Sequence, residues 1–192
     1  MKEKLKRAIE TAHVQSGITR MKEKRMAELT HVDHCAFGPL YDADSEVLVL
    51  GSIPSPKSRE MKFYYGHPQN RFWRVMATVL AETLPESIEE KSAMMRRHHI
   101  ALWDTLSECD IVGASDASIR NPVPTDIEGL LKKTKITRIF CTGASSYRYY
   151  EKYQYPRTGI HAVKLSSTSP ANCAVSFERL VSEYQQIIAN NS

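Results

Sequence analysis

A short apolar run closely followed by glycine occurs twice in this chain and limits its fold more than any other feature. The first is EVLVLGS at 46–52, and the second is ITRIFCTG at 136–143. A strand that is apolar at every position is buried on both faces, which is typical of a parallel sheet covered by helices. HHIALWDT and HAVKLSS are two further strand-like segments, and helix-like segments separate them. The pattern predicts an α/β domain with a mainly parallel central sheet.

The predicted helices follow from apolar residues spaced three and four positions apart. One helix is expected to begin at Asn70, because its apolar stripe is formed by Phe72, Trp73, Met76, Val79 and Leu80. A charged helix is expected near 86–97. The last helix is expected to begin near the pair Ser169 and Pro170, as N-cap and first helical residue. Its buried residues are expected to be Phe177, Leu180, Val181, Tyr184, Ile187 and Ile188.

The size and composition are those of an ordinary globular protein. The chain has 192 residues, of which 42% are hydrophobic and 25% are charged, so one domain with a substantial core is expected. No apolar run approaches the roughly 18–20 residues that span a bilayer. The first residues lack the apolar centre of a signal peptide, and we therefore expect a cytoplasmic protein that does not bind membranes.

The positive net charge of +4 is concentrated at one end of the chain. Residues 1–30 hold eight of the 26 basic and four of the 22 acidic residues, which leaves 18 of each sign in the remainder. We therefore predict a charged N-terminal arm over 1–30, either a solvated helix or a tail, and a single domain over 31–192. Any anion-binding site in that domain must be local rather than a global field.

The four cysteines give no support for a metal centre or a disulfide framework. They are Cys35, Cys109, Cys141 and Cys173, and no CxxC or CxH spacing occurs among them. Disulfides are rare in the cytoplasm, and an iron–sulfur or zinc site needs a recognisable ligand spacing. We expect neither a metal nor any other cofactor.

Three long loops hold the unusual residues of the chain, at 52–69, 104–127 and 166–172. In an open parallel sheet, the loops at the carboxyl ends of the strands form the ligand crevice. GSIPS (51–55) offers backbone N–H groups and serine hydroxyls to an anion, although it matches neither dinucleotide-binding nor P-loop motifs. SIRNPVPTD (118–126) is interpreted as a stiff proline-punctuated loop, either a rigid connector or a source of polar contacts.

The remaining candidates come from two further segments. In YYGHPQNRFW (64–73), Phe72 and Trp73 are expected in the core, and four residues lie off the apolar stripe: Tyr64, Tyr65, His67 and Asn70. Residues 166–172, here named the hydroxyl loop, contain four consecutive hydroxyl side chains before Pro170. Helix capping explains one of these hydroxyls, and contact with phosphate is the alternative use for the others.

Four motifs taken together resemble the uracil-DNA glycosylase superfamily, and specifically its hypoxanthine-DNA (DNA-deoxyinosine) glycosylase branch. They are VLVLGSIPSPKS (47–58), YYGHPQNRFW (64–73), ASDASIRNPVPTDI (114–127) and LSSTSPAN (165–172). The resemblance runs from about His31 to the C-terminus. It implies a three-layer α/β/α domain around a short, mainly parallel sheet.

The resemblance implies a monofunctional DNA glycosylase of base excision repair. Such an enzyme flips a deaminated base, hypoxanthine or uracil, out of DNA and hydrolyses its N-glycosidic bond. The expected partner is DNA that contains deaminated bases, and the expected state is a monomer. Two alternatives stay open: a G/U(T) mismatch-specific uracil-DNA glycosylase, and a catalytically silent DNA-binding protein of the same fold. An enzyme acting on free nucleotides lacks support from any phosphate-loop motif.

The resemblance also implies roles for individual residues. Asn70 is the implied main catalytic residue, holding a water below C1′ or the base edge, and His67 is expected to stabilise the departing base. The base pocket is expected to contain Gly51, Ser52, Ile53, Pro54, Tyr64, Tyr65 and Asn121. The DNA backbone is expected to contact Ser55, Ser58, Ser167, Thr168, Ser169, Pro170 and Asn172. The chain departs from the uracil-specific branch because no aspartate stands just after its first predicted strand.

Overall fold

A computed structural model describes residues 29–34 and 37–189 of the chain. The predicted N-terminal arm therefore lies almost wholly outside the described residues, as does Cys35. The described strands are β1 (Leu29–Asp33), β2 (Val47–Gly51), β3 (Ile100–Asp104), β4 (Leu106–Val112), β5 (Arg120–Pro124), β6 (Arg138–Thr142) and β7 (Ala162–Leu165).

The described α-helices are α1 (Pro56–Met61), α2 (Phe72–Val79), α3 (Ile88–Arg97), α4 (Ile127–Leu131), α5 (Ala144–Tyr149), α6 (Tyr155–Thr158) and α7 (Phe177–Tyr184). A π-helical turn (Tyr150–Gln154) joins α5 to α6, and short 3₁₀ turns cover Asp116–Ser118 and Gln185–Ile187. Within this part of the chain no helix has the length and apolar character needed to cross a bilayer.

The predicted parallel sheet is confirmed. Four strands pair in the order β3-β2-β6-β7, and each neighbouring pair is parallel. All residues of the central strand β2 are buried, as its uninterrupted apolar run predicts. The register places Gly51, the last residue of β2, directly beside Asp104, the last residue of β3.

The three-layer α/β/α arrangement is also confirmed. Val47 and Val49 of β2 face a core that contains buried residues of α2, α3 and α7. Leu48 and Leu50 face the opposite core, with α4 and the π-helical turn. Alternate side chains of a strand point to opposite faces, so this one strand anchors both helical layers.

The prediction of a long loop over 104–127 is wrong, because β4 and β5 lie within it. They form a second sheet with β1, in the order β1-β4-β5, and both pairs are antiparallel. Pro122 and Pro124 fit β5 because it is an edge strand, where a missing N–H breaks no second ladder. Two register shifts interrupt the pairing of β4 with β5 and hide the strand periodicity in the sequence.

Two predicted helix starts are corrected. Helix α2 begins at Phe72 rather than Asn70, because Asn70 Oδ1 accepts the hydrogen bond from Phe72 N and thus precedes the helix. The last helix begins at Phe177 rather than near Ser169. Its N-cap is Ser176, whose hydroxyl accepts from Arg179 N. Ile188, expected in the core, is 44% exposed.

Candidate active site

A cleft of about 850 Å³ opens at the carboxyl ends of the parallel strands. Its lining includes residues of four chain segments: 51–55, 113–116, 142–145 and 164–169. The chain leaves β2 towards the layer of α2 and leaves β6 towards the layer of α5. Neighbouring strands whose connections run to opposite faces create a crevice between them, and that crevice is where ligands bind in open α/β sheets.

Asn70 lines the cleft, and its amide is held in one orientation. Its Oδ1 accepts from Phe72 N at 3.0 Å and from Thr168 Oγ1 at 2.8 Å. A carbonyl oxygen has two lone pairs, so these donors occupy both. The Nδ2 group has no hydrogen-bond partner among the described residues, which leaves its two N–H donors for a ligand. A ligand in the cleft would therefore meet Asn70 as a hydrogen-bond donor.

Tyr65 forms an aromatic wall of the cleft. Its ring stacks on Phe72 with centroids 3.6 Å apart and an angle of 11° between the planes. The hydroxyl is within 3.1 Å of Thr142 Oγ1, and burial raises the pKa of Tyr65 well above its ordinary value, so the phenol is neutral. Because one ring face is covered by Phe72, a bound base would meet the other face.

Tyr64 also lines the cleft, but it is fixed in the wall. Only 4% of its surface is exposed, and its hydroxyl donates to Gly38 O at 2.9 Å. Phe37 packs edge-on against its ring at 5.0 Å. The backbone carbonyl of Tyr64 accepts a hydrogen bond from Trp73 Nε1, which connects this wall of the cleft to helix α2. Tyr64 shapes the cleft, whereas Tyr65 offers a stacking face.

The hydroxyl loop is built as a rigid unit at the cleft. Asn172 Nδ2 donates to Ser167 O at 2.8 Å, and Ser167 Oγ accepts from Ser169 N at 3.2 Å. The guanidinium of Arg71 donates to the carbonyls of Asn172 and Val175. Thr168 is buried and holds Asn70, so the structure brings two candidates from distant motifs into contact. Pro170 is exposed and does not line the cleft.

The end of β2 and the loop that follows it contribute four expected residues to the lining: Gly51, Ser52, Ile53 and Pro54. Ser55 and Ser58 also line it, but their hydroxyls are engaged within the protein. Ser55 caps α1 by accepting from Ser58 N, and Ser58 Oγ accepts from Gly66 N at 3.1 Å. Their side chains therefore stabilise the loop, and contact with DNA would require them to exchange these bonds.

Besides Pro170, two further expected site residues are not brought into the cleft. His67 does not line it. Its ring Nδ1 accepts from Gln69 N at 3.1 Å, and its carbonyl accepts from Asn70 N, so it shapes the turn before Asn70. Asn121 lies on the exposed side of β5 and donates to Asp110 Oδ2 at 2.7 Å. The second sheet, absent from the sequence-based prediction, carries Asn121 away from the base pocket.

Sequence reasoning missed a buried ion pair that reaches the cleft. His34 Nε2 lies 2.7 Å from Asp104 Oδ2, and His34 Nδ1 lies 3.1 Å from Phe37 O. Both side chains are less than 10% exposed, and Asp104 lines the cleft. The sequence has no acid just after β2, but the parallel register supplies one from β3 beside the same glycine. A single Asp ending the apolar run IALWD was the available signal.

Burial and neighbouring charged groups shift the pKa values of His34 and Asp116. Burial alone would lower the pKa of His34, but the hydrogen bond and the charge of Asp104 outweigh it and leave that pKa raised. Burial raises the pKa of Asp116, and the negative charge of Asp104 adds to this effect, against the hydrogen bond from Ser52 Oγ at 2.7 Å. Asp104, paired with an imidazole, and Asp116, paired with a hydroxyl, therefore line the same cleft. Glu183, which accepts from Ser166 N and Arg179 Nε, is a third carboxylate in its lining.

No group of three or more His, Cys, Asp or Glu side chains suited to a metal ion occurs in the ranges 29–34 and 37–189. Of the cysteines in these ranges, Cys109 and Cys141 are buried and Cys173 is exposed. The cleft thus offers amide, hydroxyl, aromatic and carboxyl groups. Fold and cleft together define an α/β protein whose cleft, at the carboxyl edge of a parallel sheet, is lined by these groups.

Comparison with known proteins identifies the family to which this α/β protein belongs. The family model of the uracil DNA glycosylase superfamily matches residues 39–187. That range includes the parallel sheet, Asn70 and the hydroxyl loop, and it covers well over half of the chain. The chain belongs to the uracil DNA glycosylase superfamily.

Individual relatives agree with this assignment. A Methanosarcina acetivorans protein named hypoxanthine DNA glycosylase is 31% identical over 137 residues, which are 71% of this chain and 86% of the relative. A Methanosarcina barkeri protein of the same name is 34% identical over 86 residues, 44% of this chain and 54% of the relative. The NMR structure of a candidate uracil DNA glycosylase from M. acetivorans superposes with a TM-score of 0.68 at 27% identity, covering 80% of this chain and 97% of that one.

Proposed function

We propose that this chain is a monofunctional DNA glycosylase that releases deaminated bases, hypoxanthine first among them, from DNA. The observation that carries the proposal is the amide of Asn70, held in the cleft as a donor beside the hydroxyl loop. The names of the two Methanosarcina relatives support hypoxanthine as the base.

The cleft fits a base that has left the duplex. Enzymes that act on a base within DNA extrude it, at a cost of a few kcal/mol in lost stacking and pairing. Stacking on an aromatic ring returns about 1–3 kcal/mol. The free face of Tyr65 is suited to this role, since the ring is already fixed by Phe72 and Thr142. A cleft of about 850 Å³ exceeds the volume of a purine and leaves space for its sugar.

The chemistry needs charge stabilisation more than a strong nucleophile. When the C1′–N9 bond breaks, its electron pair goes to the purine and the sugar becomes an oxocarbenium ion, to which water adds. Asn70 Nδ2 would donate to the purine as negative charge develops, or to the oxygen of the attacking water. Preorganised donors of this kind lower barriers by several kcal/mol. Asn70 Oδ1 is already saturated, so removal of the water's proton falls to another group.

The DNA backbone would lie along the hydroxyl loop. Hydroxyl and backbone N–H groups position DNA without requiring a large positive field. Ser169 and Ser166 line the cleft, and Lys164 at the end of β7 adds one exposed cation at its rim. We further propose that the protein is a monomer in the cytoplasm, which light scattering and fractionation would test.

Oligonucleotides with a single lesion test the proposed function. Duplexes and single strands carrying deoxyinosine, deoxyuridine or deoxyxanthosine would be incubated with the protein and then treated with alkali. Alkali-dependent breakage at deoxyinosine supports the proposal. Breakage at deoxyuridine alone would indicate a uracil-specific enzyme, and binding without breakage a silent DNA-binding protein; either result would contradict it.

A further inference from the structure

The positive charge that lines the cleft lies at one end of it. Among the described residues, two basic side chains line the cleft: Lys164 of the edge strand β7 and Arg179 of helix α7. The carboxylate of Glu183 connects Arg179 to Ser166, the residue that follows β7. Asp104 ends β3, the opposite edge strand, and three strand spacings separate these edges by about 14 Å. The cleft therefore offers its basic groups to an anion at the β7 end.

The carboxylate of Glu183 occupies an anion-binding arrangement within the protein itself. Its Oε2 accepts from Ser166 N at 2.9 Å, and its Oε1 accepts from Arg179 Nε at 3.1 Å. Burial would raise the pKa of Glu183, but the hydrogen bonds from Ser166 and Arg179 outweigh it and leave that pKa lowered, so the side chain is charged at neutral pH. Backbone N–H groups and guanidinium groups are also the donors from which DNA phosphates accept.

These donors remain accessible to a ligand. The side chain of Arg179 is 72% exposed, and its two Nη groups have no hydrogen-bond partner among the described residues. They are therefore available to a second oxygen of an anion. The hydroxyl of Tyr184 donates to Ser166 O at 2.9 Å, so the backbone of Ser166 keeps its position when the carboxylate leaves. An exposed ion pair between residues four apart on a helix is weak, so its exchange for another anion costs little.

We propose that Arg179 and the backbone N–H of Ser166 form a subsite for one phosphate of the lesion strand, and that Glu183 occupies this subsite in the free protein. The inference rests on the proposed function and deepens it, because the hydroxyl loop along which the DNA backbone would lie begins at Ser166. When DNA binds, the phosphate takes over the hydrogen bonds of the carboxylate, and Glu183 turns towards solvent. Lys164 adds a second positive charge at the same end of the cleft.

A chemical double-mutant cycle tests the contact. Each duplex carries one uncleavable 2′-fluoro-2′-deoxyinosine, and one phosphate near it is replaced by an uncharged methylphosphonate. Fluorescence anisotropy measures the affinity of the wild type and of Arg179→Met for the set of duplexes. In the wild type, replacement of the phosphate that occupies the subsite should weaken binding by about tenfold, and in Arg179→Met the same replacement should change it by less than about twofold. Equal sensitivity of the two proteins at every phosphate would overturn the inference.

Glu183→Gln is expected to bind DNA more tightly, a result that loss of structure would not produce. Its amide oxygen can still accept from Ser166 N, whereas the competing negative charge is gone. Affinity for the unmodified duplex should therefore increase by about three- to tenfold. Arg179→Met should weaken binding more in the Glu183→Gln background than in the wild type, because the carboxylate no longer competes for the guanidinium. Affinity of Glu183→Gln at or below the wild-type value would overturn the inference.

Matched controls separate this subsite from a general effect of charge. Glu178→Gln removes a negative charge from the same helix at an exposed residue that does not line the cleft, and Arg96→Met removes a positive charge from α3. Both should keep the wild-type affinity and methylphosphonate pattern, and changes equal to those of the cleft variants would overturn the inference. If Glu183→Gln does not fold, as judged by thermal melting, the methylphosphonate pattern of Arg179→Met decides. A wild type that binds the duplex but releases no base from deoxyinosine would overturn the proposed function instead.

Discussion

At the scale of single residues, the site depends on which atoms are already engaged. Asn70 Oδ1 is saturated by Phe72 N and Thr168 Oγ1, so only the amide N–H groups face a ligand. In Asp104, Oδ2 lies 2.7 Å from His34 Nε2, and Oδ1 has no hydrogen-bond partner among the described residues. The cleft is thus lined by amide donors from one loop and by a carboxylate at a strand end.

Substituting Asn70 separates its donor role from its structural role. Asn70→Asp keeps an acceptor for Phe72 N and Thr168 Oγ1, so the free energy of unfolding should change by less than about 1 kcal/mol. Excision of hypoxanthine should nevertheless decrease by about 100-fold or more, as should excision by Asn70→Ala, because the donors are lost. Single-turnover rates and thermal melting measure both effects. Near wild-type excision by either variant would contradict the catalytic assignment.

Gly51 is required by the close approach of Asp104. In Gly51→Ala the new Cβ would lie 2.2 Å from Asp104 Oδ1, so the strand end must shift. We expect a loss of about 1–3 kcal/mol in the free energy of unfolding together with slower excision. Gly38→Ala is the matched control, because nothing lies within 4 Å of the position that its methyl group would occupy, and it should be nearly neutral. Equal melting temperatures for the two variants would argue against the packing described.

The buried pair makes stability depend on pH. Because the pKa of His34 is raised in the folded protein, the pair's stabilisation is complete below the ordinary histidine pKa of 6.5 and is lost as pH rises through the folded-state value. The wild type should exceed Asp104→Asn in free energy of unfolding by about 1 kcal/mol near pH 5.5, and by less near pH 9. Denaturant unfolding at both pH values measures this. A difference that does not change with pH would contradict the ionised pair.

At the scale of secondary-structure elements, the strands that a local sequence pattern determines were predicted, and the strands that depend on long-range pairing were missed. The runs VLVLG and RIFCT predicted buried parallel strands because burial on both faces needs only apolar residues in sequence. β4 and β5 were missed because their pairing is non-local and twice shifted in register. The start of α7 was misplaced because Ser169 and Ser176 are both chemically able to cap a helix.

The candidate site shows the same division between residues that local sequence patterns indicate and residues that only long-range pairing brings together. The HPQN segment (67–70) and the hydroxyl loop stood out by composition, and the structure joins them through Asn70 and Thr168. The carboxylate of Asp104 could not be placed by sequence reasoning, because its proximity to Gly51 depends on the pairing of β2 with β3. His34 is 70 residues away from Asp104 in sequence, and no local pattern links them.

Arg71 connects helix α2 to the hydroxyl loop and is expected to control DNA binding. Its guanidinium donates to the carbonyls of Asn172 and Val175, and its backbone N–H donates to Thr168 O. Arg71→Met should leave these carbonyls unpaired, loosen the loop and weaken affinity for lesion DNA by about tenfold. Fluorescence anisotropy measures the affinity. Arg96→Met, an exposed change on α3, is the control, and equal effects of the two would contradict this role for Arg71.

At the scale of the whole molecule, the cleft follows from topology. The strand order β3-β2-β6-β7 places two neighbouring strands whose connections run to opposite faces, and the site residues collect at their carboxyl ends. The remaining charge of residues 31–192 is balanced, with 18 basic and 18 acidic side chains. We therefore expect a domain of this composition to bind DNA through local hydroxyl and N–H groups rather than through a long-range field.

Balanced charge predicts a shallow dependence of DNA affinity on salt. Each phosphate neutralised by Lys or Arg adds about 0.9 to the slope of log K against log salt concentration. We expect the slope for lesion DNA to correspond to fewer than about four such contacts. Anisotropy titrations over a range of salt concentrations measure it. A steep slope, typical of proteins rich in Lys and Arg at the interface, would contradict binding mainly through the hydroxyl loop.

The identity of the released product shows directly whether the protein hydrolyses the N-glycosidic bond of deoxyinosine. A duplex with one deoxyinosine is incubated with excess protein, and the small-molecule fraction is analysed by mass spectrometry, with an adenine duplex in parallel. We expect one equivalent of free hypoxanthine, a strand that stays intact until alkali is added, and no release from the adenine duplex. Release of a nucleoside, strand cleavage without alkali, or no product at all would contradict it.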